Sequence, residues 1–143
     1  MQLLDPVRLQ QMVRSPEAGL GTVFVVDDDD AVCDMLKTLI EADGFKVQTW
    51  RTAEAFLAEY DPPQSGCLVL DLDLPDMNGL ELAEMLLARH AQLPIILVSG
   101  RGDLLTSSRA KDINALGYLS KPFDNQLLLE YIRRGMAKAK VSH

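Results

Sequence analysis

Hydrophobic and polar positions follow two rhythms along this chain, and the rhythm switches repeatedly after residue 20. The run TVFVV, Thr22 to Val26, is short, continuous and rich in β-branched residues, which predicts a strand buried on both faces. Val32, Met35, Leu36, Leu39 and Ile40 then recur at helical spacing, and Gly44 is placed to stop that helix. FKVQTW alternates like a strand. TAEAFLAEY predicts a short helix with Thr52 as N-cap and Ala55, Phe56 and Tyr60 on one side. DPPQSG is a loop and CLVLDL a further buried strand. Leu80, Leu82, Ala83, Leu86 and Leu87 mark the next helix, and PIILVS the next strand. A fourth helix is expected from about Leu104 to Ile113, although its TSSR centre is a poor helix former. GYLS is a short strand, and Leu127, Leu128, Tyr131 and Ile132 open a final helix that runs into RRGMAKAK.

The order is strand then helix, five times over. Such alternation implies a parallel sheet covered by helices on both faces, and right-handed crossovers leave few ways to wind it. The expected fold class is α/β: a doubly wound five-stranded parallel sheet in strand order 2-1-3-4-5. Residues 1–20 read as a leader with one short helix near Val7 to Val13, ended by Pro16 and Gly19. The folded domain is expected over 21–136 and a tail over 137–143.

Composition narrows the partners. The 143 residues are 48% hydrophobic and 24% charged, enough apolar material for one real core. The formal net charge of −7 argues against a nucleic-acid surface, which needs clustered Lys and Arg, and suits a pocket that takes a cation. Cys33 and Cys67 have no metal-type spacing and read as small buried hydrophobes in a reducing compartment. No secretory signal and no bilayer-length apolar run is visible, so a cytoplasmic protein with no membrane contact is expected.

The chemistry follows from the topology. In such a sheet, ligands bind outside the carboxyl ends of the strands where the strand order reverses, here between the first and third strands. Strand one ends in Asp27 and Asp28, strand three in Asp71, strand four in Ser99, and strand five in Ser120 followed by Lys121 and Pro122. Three converging carboxylates raise one another's pKa unless a cation joins them. Hard oxygen donors of this kind suit Mg²⁺, with room left for water and a phosphate. Lys121 supplies a point charge for a phosphoryl oxygen and Ser99 a hydroxyl. Together they make a phosphoryl site with nucleophile, metal ligands, cation and donor. The rest of the run DDDD, Asp29 and Asp30, reads as a helix N-terminus.

These residues resemble the receiver domain of two-component response regulators. The resemblance covers about Thr22 to Arg134 and rests on VVDD, DLDLPDMNG, VSG and KPF, in that order. It implies that Asp71 accepts a phosphoryl group from the phosphohistidine of a sensor histidine kinase. Asp27 and Asp28 would then position Mg²⁺ or Mn²⁺, with the backbone carbonyl of Asp73 as a further metal ligand. Lys121 would contact the phosphoryl oxygens, next to a cis peptide to Pro122. Ser99 and Tyr118 would be the switch pair, the first swinging toward the phosphoryl group and the second turning inward behind it. The readout would be the surface of the fourth helix, fifth strand and fifth helix, which could also serve a homodimer. The weak helix formers Thr106 to Ser108 fit a mobile fourth helix.

Several positions have a plainer reading beside the functional one. Asp73 and Arg101, which in the family tune self-dephosphorylation, either pair over the pocket mouth or stand as two solvated side chains. Ser99 could cap a strand end and Tyr118 could fill the sheet edge. Trp50 reads as packing, and His90 and His143 as surface residues. Asn114 stands in INALGY where glycine is usual, and asparagine tolerates left-handed geometry. LVLDLDLPD also resembles the first motif of haloacid-dehalogenase-type phosphatases. That alternative leaves VVDD unexplained and needs Asp71 on the first strand. An unphosphorylated pseudo-receiver scaffold is the other alternative.

Overall fold

The computed structural model describes residues 21–60, 66–89 and 92–141. The leader with its expected helix, the loop residues 61–65, and both histidines lie outside the described residues. Five strands form one parallel sheet: β1 (Thr22–Val26), β2 (Lys46–Trp50), β3 (Gly66–Asp71), β4 (Ile95–Ser99) and β5 (Gly117–Ser120). Their order is β2-β1-β3-β4-β5, with every neighbouring pair parallel. The expected fold class is therefore the observed one.

Alternation along the strands divides the core in two. Val23 and Val25 of β1 pack with α1 (Asp30–Ala42) and α6 (Asn125–Val141), through Cys33, Leu36, Ile40, Leu128 and Ile132. Phe24 and Val26 point the other way, toward α2 (Ala53–Glu59) and α3 (Gly79–Ala88). Phe56, 0% exposed, meets Trp50 edge-on with ring centroids 5.0 Å apart and stacks on Tyr60 at 5.1 Å. Trp50 is packing, as its position suggested, and its indole N–H donates to Glu59 at 3.0 Å.

The helix starts and stops have local causes. The Asp29 side chain caps α1 by accepting from the N–H groups of Ala31 and Val32. Gly44, with φ of 100°, turns the chain into β2. Thr52 caps α2, and Asn114 holds φ of 56° after the last turn before β5.

Two expectations need correction. The fourth helix is two pieces, α4 (Gly102–Leu105) and α5 (Ser108–Ile113), with Thr106 and Ser107 between them. The Ser107 hydroxyl donates to the Leu104 carbonyl at 2.8 Å and accepts from the Ala110 N–H at 3.2 Å, so it closes one helix and opens the next. The buried stripes are also shifted. Met35, Leu87 and Leu127 are exposed, as is Ala55, while Cys33, Ala53 and Leu129 are buried. The final helix does run through RRGMAKAK, as expected, and α6 reaches Val141.

The two thiols sit inside these cores. Burial pushes Cys67 up to about 12. Burial also pushes Cys33 up to about 11, with Arg51 opposing and Asp27 adding to the effect. Both are thiols at neutral pH and carry little thiolate nucleophile. Iodoacetamide at pH 8 should leave the native chain unlabelled and alkylate both sites once denaturant is added. Because the folded pKa values are raised, stability from these groups is complete below about pH 9 and declines as pH rises toward 11. Labelling of either cysteine in the native state at pH 8 would contradict this burial.

Candidate functional site

The site is built at the carboxyl edge of the sheet. Val26 is in register with Leu70, so Asp27 and Asp71 lie abreast at the ends of β1 and β3. The Asp27 N–H is fixed by the Trp50 carbonyl at 3.0 Å. On the far side, Ser99 is in register with Ser120, and the Lys121 N–H donates to the Ser99 carbonyl at 2.9 Å. This places Lys121 directly after β5, and its peptide bond to Pro122 is cis.

Asp27 is 3% exposed and Asp71 2%, while Asp28 faces solvent. One carboxylate oxygen from each lies within 4.8 Å of the others. The Lys121 ammonium reaches between the two buried ones, donating to Asp27 at 3.0 Å and to Asp71 at 3.1 Å. The remaining oxygens accept from the backbone, Asp27 Oδ1 from the Asp29 N–H at 2.9 Å and Asp71 Oδ1 from the Asp73 N–H at 3.0 Å.

Burial, reinforced by the Asp27 charge, raises the Asp71 carboxyl above the ordinary carboxylate range, against the Asp73 N–H and Lys121, which favour ionisation. Lys121 is itself partly buried, which opposes its charge, yet its bond to Asp27 and the charge of Asp71 hold its pKa above the ordinary value. The ammonium therefore stays protonated. Three carboxylates and one ammonium leave two net negative charges in a cleft of oxygen donors. That charge and that donor set fit a hard divalent cation.

Ser99 is wholly buried beside this cluster. Its hydroxyl donates to Asp73 Oδ2 at 3.0 Å and accepts from the Arg101 N–H at 2.9 Å. The Gly100 N–H donates to the same Asp73 oxygen at 3.1 Å. The imagined pairing of Asp73 with Arg101 is not formed, because Arg101 reaches Asp103 at 3.4 Å instead and Asp73 is engaged by Ser99 and Gly100. Tyr118 is 38% exposed, and its hydroxyl donates to the Ala110 carbonyl and accepts from the Ala115 N–H, each at 3.2 Å. It lines an open groove of about 700 Å³ with Leu105, Thr106 and Lys111.

Two participants escaped the sequence reading. The Asp73 carboxylate was read with Arg101, not with Ser99. Asp76 accepts from the N–H groups of Ala53 and Glu54 at 3.2 and 3.0 Å, tying the loop after Asp71 to the start of α2. No sequence signal marks such a cap, since donor and acceptor stand more than twenty residues apart.

The acid cluster and its lysine thus stand together at the carboxyl edge of a doubly wound parallel sheet, and sequence comparison gives the class of domain. The response regulator receiver domain matches residues 23–133. The chain belongs to the response regulator receiver domain family. It is 36% identical to the response regulator protein TmoT of Ectopseudomonas mendocina, over 83% of this chain and 54% of that protein. It is 37% identical to the transcriptional regulatory protein FixJ of Azorhizobium caulinodans, over 82% of this chain and 56% of that protein. The solved structure of the response regulator StyR superposes with a TM-score of 0.78 at 42% identity, covering 82% of this chain and 60% of that one. The chain thus spans about half the length of the curated relatives it matches. Among the described residues, no helix is long and apolar enough to cross a membrane.

Proposed function

We propose that this chain is a Mg²⁺-dependent phosphoryl switch in which Asp71 takes the phosphoryl group from a sensor histidine kinase. The observation that supports it best is the shared grip of Lys121 on Asp27 and Asp71 beside the exposed Asp28. A bound divalent cation would be held by Asp27, Asp28, Asp71 and the Asp73 carbonyl, and would supply positive charge where the transferring group carries negative charge. Asp71 attacks phosphorus, the phosphorus–nitrogen bond of the phosphohistidine breaks, and a phosphorus–oxygen bond forms. Lys121 stays protonated through this step and gives the new phosphoryl oxygens a fixed partner.

The phosphodonor has to cover this edge of the sheet. An apolar concavity of about 390 Å³ lies beside Lys121, lined by Val32, Met35, Pro122 and Phe123. The exposed Met35 makes it a suitable seat for the kinase. Conformational readout runs through Ser99 to the side carrying Tyr118, α4, α5, β5 and α6. That surface serves an output partner or domain, or a second copy of the chain, by a shift between two populated states.

The phosphatase alternative needs the Asp71 and Asp73 carboxylates to act together on one substrate. Here the Asp73 carboxylate is turned away, to Ser99 and Gly100. A direct test is stoichiometry. With acetyl phosphate and Mg²⁺, intact mass should show one phosphoryl group per chain. Incubation with para-nitrophenyl phosphate should release little product. Sustained turnover would favour the phosphatase, and a chain that takes up no phosphoryl group would favour the scaffold.

A further inference from the structure

We propose that the Asp73 carboxylate is a latch that positions Ser99 in the resting state, competing with the phosphoryl group for the Ser99 hydroxyl proton. The proposal rests on the reading of Asp71 as phosphoryl acceptor and assigns a regulatory role to a neighbour of that site.

A serine hydroxyl has one proton to donate. In this structure that proton goes to Asp73 Oδ2 at 3.0 Å. A lone pair of Ser99 Oγ accepts from the Arg101 N–H at 2.9 Å, so the hydroxyl is held from both sides. Ser99 is wholly buried, out of reach of bulk solvent. Asp73 is itself fixed at two points. Its Oδ2 also accepts from the Gly100 N–H at 3.1 Å, and its own N–H donates to Asp71 Oδ1 at 3.0 Å. One residue therefore touches the acceptor through its backbone and the switch hydroxyl through its side chain.

Competition follows from this inventory. For Ser99 to donate to a phosphoryl oxygen on Asp71, it must leave Asp73. The phosphoryl group must then outbid a charged acceptor, not merely a water molecule. Hydrogen bonds to charged groups are worth about 1.5–3 kcal/mol, which converts to roughly a tenfold or greater change in an equilibrium. The carboxylate also adds a negative charge near the position where the phosphoryl charge arrives, so charge and latch must be separated by experiment.

Beryllofluoride, which binds an aspartate carboxylate as a phosphoryl mimic, gives an equilibrium readout. Its affinity in the presence of Mg²⁺ is measured by titration calorimetry on the full chain. Asp73→Ala should tighten binding by about tenfold. Asp73→Asn removes the charge but keeps an oxygen acceptor for Ser99, and should tighten binding less. Ser99→Ala should weaken binding, and in that background Asp73→Ala and Asp73→Asn should give the same change, since no hydroxyl remains to be held. A gain from Asp73→Ala that is the same with and without Ser99 would overturn the latch and leave a charge effect only. No gain, or a loss, would overturn it as well. Asp71→Asn is the control for the underlying reading. If it binds beryllofluoride as the wild type does, the acceptor assignment fails and the latch fails with it.

Discussion

Asp71→Asn is expected to take up no phosphoryl group from acetyl phosphate and Mg²⁺ under conditions that load the wild-type chain. The reason is chemical. The amide oxygen and nitrogen share their electrons by resonance, and neither is a nucleophile comparable with a carboxylate. Asparagine has nearly the same shape, so the fold should hold. Its oxygen can still accept the Asp73 N–H that Asp71 Oδ1 accepts at 3.0 Å. Lys121 loses one partner but keeps Asp27 at 3.0 Å. The removed charge is one that burial already disfavours. The melting temperature of the variant should therefore be no lower than that of the wild type, which separates a lost acceptor from a lost fold. Labelling of the variant to the wild-type extent would show that another carboxylate receives the group.

The parts of this structure that were legible in the sequence are those where one physical demand acts alone. β1 and β3 lie inside the sheet with both faces covered, so every position wants an apolar residue and TVFVV and CLVLD stand out as continuous runs. The acid cluster was legible for the same reason. Asp27 and Asp71 interrupt those runs at the same end of adjacent strands, where no packing demand explains them.

Helical faces were less clear, because a stripe of large hydrophobic residues tolerates its outer members in solvent. Met35 and Leu87 sit at the edge of their stripes, and the small Cys33 and Ala53 take buried places that size alone would not assign them. The break in the fourth helix lies between these cases. The weak formers Thr106 and Ser107 were visible, but the hydroxyl bonds that turn weakness into a break depend on backbone geometry. Away from the strand ends, contacts between distant residues left no trace. Asp76 on α2, Asp73 on Ser99 and Arg109 on Glu84 are each polar residues in polar stretches, and only the fold brings the partners together.

Mg²⁺ is expected to raise the melting temperature of the wild-type chain, and Asp28→Ala to remove most of that response. Without a cation, three carboxylate oxygens lie within 4.8 Å of one another, and Lys121 offsets part of their charge. This arrangement costs stability that a divalent ion would return. A ligand that binds only the native state stabilises it by about 2.7 kcal/mol at a hundredfold excess over its Kd. For a domain of this size that is roughly 8 °C. Asp28 is the informative position because it is exposed. Its loss removes a metal ligand without opening a cavity or leaving a buried charge unpaired. The metal-free variant should accordingly melt at or slightly above the wild-type temperature, since one source of repulsion is gone. Asp27→Ala is the less useful change, for it would strip the half-buried Lys121 of a partner and the Asp29 N–H of its acceptor. A wild-type chain indifferent to Mg²⁺, or an Asp28→Ala chain with the full wild-type shift, would show that the acid cluster is not the metal site.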